Sequence, residues 1–190
     1  MRMQLRFCES EINDLANRYT ESQREENRMR EQYLIDLRCD VLDRGYLTKQ
    51  ELHTIARWKS PRRAALTLEN TDDFIKEITE EAFTSTDDWT NLLTLTRLQG
   101  IGQPTASAIL HLYDEGQYPI LDIRALWSVG LEWKKRTAYP FWLDYVQFCR
   151  DIANRNGICM RALDRALWFY SYNKSISIAT LKQNSELNRT

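Results

Sequence analysis

Apolar residues recur at helical spacing along almost the whole chain, and no segment sustains the strict alternation of a strand. That pattern predicts an all-α protein whose core is built by packing helix faces on one another. Met29, Tyr33, Leu37 and Val41 step by four through a charged stretch from Ser22 to Arg44, and Gly45 supplies its C-terminal stop. Thr48-Lys49-Gln50-Glu51 has the form of a capping box and opens a short helix through Leu52, Ile55 and Ala56. Ser60-Pro61 follows as a further cap with proline in the first turn. Thr71-Asp72-Asp73 starts a helix with Phe74, Ile75, Ile78 and Ala82 inward, and another opens near Asp87 and runs through Leu92, Leu93 and Leu95 to Leu98. A helix from Pro104 to Glu115 carries Ala106, Ile109, Leu110 and Tyr113 ahead of Gly116. Beyond Pro119, Asp122 caps a short helix ending near Gly130. Phe141, Tyr145, Phe148 and Ile152 mark a late helix closed by Gly157, and Leu163, Leu167 and Tyr170 mark the last.

The expected organisation is one helical domain over residues 1–172, with two small lobes sharing a core as a variant, and a polar tail over 173–190. Hydrophobic residues make up 43% of the chain and charged residues 28%, enough for a real core. The formal net charge is -1, so any nucleic-acid-binding patch must be local. Cys8, Cys39, Cys149 and Cys159 form no CxxC and no Cys/His cluster with metal spacing, which predicts buried, reduced thiols and neither metal nor cofactor. No signal peptide and no bilayer-length apolar run is present; the expectation is a cytoplasmic protein (nuclear in a cell with a nucleus) with no membrane partner.

The most informative segment is Leu98-Gln99-Gly100-Ile101-Gly102-Gln103-Pro104-Thr105-Ala106-Ser107-Ala108-Ile109-Leu110. Two glycines flank one apolar residue between two helices, which predicts a helix-hairpin-helix over residues 92–115. Glycine adopts positive φ and lets another backbone come close, having no Cβ. Ile101 is expected to point inward and pin the bend, so that the amides of Gly100 and Gly102, with those opening the next helix, face outward. Unpaired N–H groups at a helix N-terminus attract an anion, and a phosphate held there positions nucleic acid without reading its sequence. A plain turn between helices also uses glycines. The small residues Ala106 and Ala108, which permit close helix packing, favour the fuller motif.

This stretch resembles the helix-hairpin-helix DNA glycosylases, the superfamily of endonuclease III and the adenine-specific mismatch glycosylases. The match runs from Leu98 to Gly130 through LQGIGQPTASAIL, HLYDEGQ and YPILDIRALWSVG. The resemblance implies a helical bundle of DNA glycosylase type with duplex DNA as partner, gripped by its backbone at Gly100, Ile101, Gly102, Gln103 and Thr105. It also implies a catalytic aspartate at Asp122, after the apolar pair Ile120-Leu121, and Pro119-Ile120-Leu121-Asp122 is most similar to the adenine-specific branch. Bifunctional members carry a lysine nucleophile two residues after the second glycine. This chain has Pro104 there, so no Schiff base forms by that route and lyase activity is not expected. Arg124 stands where the family commonly has His or Asn, Trp127 where it often has Arg, and the cysteine loop of an iron–sulfur cluster is missing. The implied activity is monofunctional hydrolysis of the N-glycosidic bond of a damaged or mispaired base, as in base excision repair. A DNA-binding protein that keeps the fold without the chemistry, and a helical interaction protein whose hairpin only packs, are the alternatives.

Breaking that bond develops positive charge on the sugar, which a carboxylate stabilises while it orients or deprotonates water. An aspartate before a short helix is also an ordinary N-cap, and Asp122 can be both. Glu51, Glu69, Asp72 and Asp73 are available as a second acid, and spacing does not choose among them. Trp58, Lys59, Ser60, Arg62 and Arg63 form the densest basic-aromatic cluster. It reads equally as a set of phosphate contacts with a stacking surface or as a solvated turn with one Trp tucked inward. Arg124 pairs with Asp122 or with a phosphate, or is simply solvated. His53 and His111 are expected to be surface or packing residues, and Trp127, Trp133, Trp142 and Trp168 to pack between helices. The mixed charges from Arg24 to Arg30 read as a solvated helix face.

Overall fold

The computed structural model describes residues 3–114, 118–131 and 139–174. Among them every regular element is a helix and none is a strand. In chain order these are α1 (Ile12–Ser22), α2 (Glu25–Asp36), α3 (Arg38–Arg44), α4 (Lys49–Lys59) and α5 (Asp72–Thr84). There follow α6 (Asp88–Leu95), α7 (Gln103–Tyr113), α8 (Ile123–Ser128), α9 (Tyr139–Asn156) and α10 (Met160–Asn173). A 3-10 helix, Pro61–Glu69, runs between α4 and α5. The chain divides into two compact units, Arg24–Tyr118, and Met1–Gln23 with Pro119–Thr190. The expected stop at Gly116, the packing of Trp133 and the tail beyond Lys174 lie outside the described residues.

In the unit Arg24–Tyr118, α4 packs on α2, α7 and the 3-10 helix, while α6 packs on α5 and α7. Local chemistry fixes where these helices begin. The Thr48 hydroxyl accepts from the Glu51 amide and the Glu51 carboxylate accepts from the Thr48 amide at 2.7 Å, the reciprocal box the sequence announced. Thr71 and Asp87 cap α5 and α6 in the same way, each accepting from the amide three residues on. Leu52, Ile55, Ile75, Ile78, Leu92 and Leu95 then meet in the core.

One expected face is corrected. The stretch from Ser22 to Arg44 is not one helix with Met29, Tyr33, Leu37 and Val41 inside; it breaks between Asp36 and Arg38, and Met29 and Tyr33 are 67% and 49% exposed. A step of four overshoots the 3.6-residue turn by about 40°, so three such steps rotate off any single face. Of the four, Val41 is buried, and Leu34 carries burial on α2 in place of Met29 and Tyr33. On α6 Leu92 and Leu95 are buried and Leu93 faces outward.

In the other unit, α10 packs against α1, α8 and α9. The chain start is tied down by backbone bonds, from the Gln4 amide to the Val129 carbonyl at 3.1 Å and from the Arg6 amide to the Ser128 carbonyl at 2.9 Å. Trp142, Tyr145, Cys149 and Ile152 form the buried face of α9; Phe141 and Phe148, expected there, are half-buried beside it. Glu9 accepts a forked ion pair from the Arg155 guanidinium and a bond from Asn156 Nδ2 at 2.6 Å. The thiols differ from expectation. All four are free, but only Cys149 is buried, while Cys8, Cys39 and Cys159 are exposed. Cys8 and Cys159 stand at N-cap positions, where a helix start faces solvent, and so escape the burial their composition suggests.

Candidate nucleic-acid interface

The bend before α7 is built on an unequal pair of glycines. Gly100 sits at φ +83, and a Cβ there would stand 2.9 Å from the Arg63 carbonyl oxygen and 3.0 Å from the Thr67 amide nitrogen. Handedness and close approach both exclude a side chain at this position. Gly102 is extended, at φ -102 and ψ 171. A Cβ on it would find only Pro104 Cδ at 3.8 Å and Arg63 Nη1 at 3.9 Å. Ile101 is buried, as its apolar character between the two glycines predicted.

The hydrogen bonds of the bend are sharply partitioned. The Ile101 amide donates to the Leu98 carbonyl at 3.1 Å, and the Thr105 and Ala106 amides both donate to the Gly102 carbonyl at 2.9 Å. The Thr105 hydroxyl meets Ser60 Oγ at 3.0 Å. Gly100 and Gly102 have no amide partner among the described residues. Ile101 and Thr105, expected to offer outward donors, therefore use their amides inside the turn, and Pro104 has none to offer. Gly102, Gln103 and Pro104 are half-buried, whereas Gly100, expected to face outward, is buried beneath the 3-10 helix.

The start of α7 is also electrostatically bare. Its N-cap, Gly102, supplies no side-chain acceptor, and the first turn contains no acid. By contrast α4, α5 and α6 are each capped by a side chain and each carries an acid in its first turn. The positive end of the α7 dipole is thus left without a negative group of its own helix.

The basic cluster singled out in the sequence lies beside this bend. Trp58 and Lys59 are half-buried in the last turn of α4, and Arg62 and Arg63 open the 3-10 helix with exposed side chains. Arg62 and Arg63 form no ion pair among the described residues, and the Arg63 guanidinium stands next to Gly102. Ser60 caps nothing with its side chain; its hydroxyl goes to Thr105 instead. At the far end, buried Asn70 brackets Gln99. Its Oδ1 accepts from the Gln99 amide at 2.9 Å, and its Nδ2 donates to the Gln99 and Thr67 carbonyls at 3.2 and 2.9 Å. His53, expected to be a packing residue, lies with Nδ1 3.1 Å from both the Ala64 carbonyl and Thr67 Oγ1, and so anchors the middle of the same segment to α4. Asn70 gave no sequence signal, since its partners are backbone groups far along the chain.

Asp122 belongs to the other unit. It is the N-cap of α8, with Oδ1 accepting from the Arg124 amide at 2.9 Å, and it is half-buried. The Tyr145 hydroxyl donates to the Ile120 carbonyl at 3.3 Å and so braces the turn that leads into Asp122. Full burial pushes the Tyr145 phenol well above its usual range, and the nearby Cys149, Asp164 and Asp122 add to the effect. It therefore stays neutral and acts as a donor. Arg124 places its guanidinium 5.6 Å from the ring centres of Trp168 and Tyr172, with Nη1 3.5 Å from Ser171 Oγ.

Glu51, Glu69, Asp72 and Asp73, the candidate second acids, all lie in the unit that does not contain Asp122. Glu51 is committed to its capping box and to Arg44, 2.5 Å away, and Asp72 pairs with Lys49 at 3.7 Å. Among the described residues, the buried acid that shares a unit with Asp122 is Asp164, paired with Arg161 at 2.5 Å. Sequence reasoning passed over it, although an Arg and an Asp three apart on one helix are a recognisable pair. Among the described residues no group of His, Cys, Asp and Glu is arranged to hold a metal ion, and no helix is long and apolar enough to cross a membrane.

Comparison with solved structures finds similarity to an 8-oxoguanine glycosylase/lyase from Methanocaldococcus jannaschii, in complex with a 15mer DNA containing 8-oxoguanine. The identity is 19%, the overlap covers 89% of this chain and 84% of that one, and the TM-score is 0.47. No protein-family model and no curated protein matches the chain.

Proposed function

We propose that this protein binds duplex DNA through the bend before α7 and hydrolyses the N-glycosidic bond of a damaged or mispaired base, with Asp122 as the catalytic carboxylate. The observation that carries the binding half is the bare start of α7. The half-buried Gly102 offers a main-chain donor without a partner, no acid occupies the first turn, and the Arg63 guanidinium stands alongside. A phosphate diester satisfies all three at once. With one unpaired guanidinium and a neutral amide, the contact is independent of base sequence. This explains how a chain of net charge -1 can still hold DNA.

The chemical half rests on the resemblance of Pro119 to Gly130 to the glycosylases, together with the placement of Asp122. Asp122 accepts from the Arg124 amide through Oδ1, and a carboxylate held at that turn can stabilise a developing cation. Water would replace the base at the sugar carbon, the base leaving with the bonding electrons and a proton. The target base must first be drawn out of the stack. Pro104 at the start of α7 offers no amine, so strand cleavage by a Schiff base is not part of the proposal. The involvement of Asp122 in an ordinary cap favours a second reading, a DNA-binding protein without catalysis.

One experiment addresses both halves. The protein is incubated with duplexes carrying a panel of damaged and mismatched bases, and binding and abasic sites are measured separately. The expected result is abasic sites on at least one duplex, abolished by Asp122→Asn with binding retained. Binding without abasic sites leaves the non-catalytic reading, and activity unchanged in Asp122→Asn removes the role given to that carboxylate. Gly102→Leu, at a position where the backbone tolerates a side chain, should weaken binding. Undiminished affinity would show that the bend only packs.

A further inference from the structure

The 3-10 helix Pro61–Glu69 is clasped to the bend at both of its ends. Ser60, just before it, holds Thr105 on the α7 side. Asn70, just after it, holds both backbone groups of Gln99 on the α6 side. Between these two clasps its backbone crosses Gly100 so closely that no Cβ fits. The geometry points to a strap, and we propose that Ser60 and Asn70 are positioning residues for DNA binding. They hold the amide of Gly102 in the arrangement a phosphate requires, without touching the nucleic acid. The inference rests on the binding half of the function proposed above.

The physical argument begins with Gln99. It directly precedes the positive-φ glycine, and it is the last point at which the chain can be fixed before the bend. An asparagine amide presents one acceptor and two donors, which lets Asn70 engage the amide and the carbonyl of a single residue at once. Asn70 is only 4% exposed, so its side of these bonds is shielded from water. The second leg is fixed at Thr105, 2% exposed, whose hydroxyl has its partner in Ser60. With both legs held, the unpaired Gly102 amide between them loses little conformational freedom when an anion arrives. Preorganisation of this kind strengthens binding without adding a contact.

Such a role leaves a particular signature. Neutral hydrogen bonds that shape the site change affinity at every salt concentration alike, whereas a lost cationic phosphate contact lowers the dependence of affinity on salt. The test measures binding of a labelled DNA duplex to the full chain across a salt series, for the parent, Asn70→Ala, Ser60→Ala and Arg63→Gln. Folding is followed in parallel by thermal unfolding, and binding is measured well below each midpoint. Asn70→Ala is expected to lose on the order of tenfold in affinity, the effect of releasing both backbone groups of Gln99, with the salt slope unchanged. Ser60→Ala should lose less, with the slope again unchanged, and Arg63→Gln should reduce the slope.

Folded Asn70→Ala and Ser60→Ala proteins that bind as the parent does would overturn the proposal, since a purely structural role shifts only the unfolding midpoint. A reduced salt slope in either variant would also overturn it, because the residue would then act as part of the phosphate contact. If Asn70→Ala does not fold, Ser60→Ala decides. A parent that binds no DNA sinks the binding reading itself and this inference with it; a binding parent with indifferent variants sinks this inference alone.

Discussion

At Gly100 two demands fall on one residue, and at Gly102 neither does. An alanine at Gly100 would have to hold φ +83 with its Cβ 2.9 Å from the Arg63 carbonyl oxygen. Strain of each kind is costly in its own right, so Gly100→Ala is expected to lower the unfolding free energy by roughly 3 kcal/mol in urea titration. Gly102→Ala, in extended backbone with its nearest neighbour at 3.8 Å, should lose at most about 1 kcal/mol, the preference for glycine over alanine at an N-cap. Equal losses at the two positions would mean that the strap does not cross Gly100 in solution. The sequence shows the two glycines as members of one pattern and cannot separate them. Their difference is set by the Arg63 and Thr67 backbone, which no periodicity in the bend encodes. For the same reason Asn70 was invisible and Ile101 was not: an apolar residue between glycines announces its own burial, while an asparagine that grips distant backbone does not.

At the scale of the element, what is local was legible. Thr48, Thr71, Asp87 and Asp122 were all readable as caps because a cap and its amide lie within three residues. The break between α2 and α3 was not, since Leu34 and Val41 are chosen by what they pack against and the apolar spacing fits more than one face. Ser60-Pro61 was correctly read as a start, but the hydroxyl expected to cap it is drawn to Thr105 by tertiary structure. Element scale is also where the two roles of Asp122 can be separated. Helix α8 has 6 residues, so its cap is a large part of what holds it. Asparagine caps as well as aspartate, whereas alanine does not. Asp122→Asn should therefore keep its unfolding midpoint, with stability within about 0.5 kcal/mol of the parent, and Asp122→Ala should lose about 1 kcal/mol. An Asp122→Asn protein as unstable as Asp122→Ala would mean that the charge, and not the cap geometry, secures α8.

Across the whole molecule, one unit is made from the two ends of the chain, and the groups that join them are charged and hydrogen-bonded as well as apolar. The Tyr170 hydroxyl donates to the Arg6 carbonyl at 2.6 Å, and Glu9 receives Arg155 and Asn156. None of this was legible beforehand, because a glutamate near a chain start has many possible partners and only the fold selects one. The consequence is measurable through pH. Hydrogen bonds from Arg155 and then Asn156 lower the Glu9 carboxyl from 4.5 to about 2. A folded-state value below the unfolded one means that the unfolded chain binds the proton first as acid is added. The stabilising contribution of Glu9 is therefore fully present above pH 4.5, declines as pH falls from 4.5 towards 2, and is gone below that. The pair is partly exposed, so its contribution is small at high salt and largest at low ionic strength. Glu9→Gln removes the titrating group while keeping its size. The difference in unfolding free energy between parent and Glu9→Gln should be constant at neutral pH and should shrink through that acid window at low salt. A difference that stayed constant down to pH 2 would mean that Arg155 and Asn156 do not hold the ionised carboxylate.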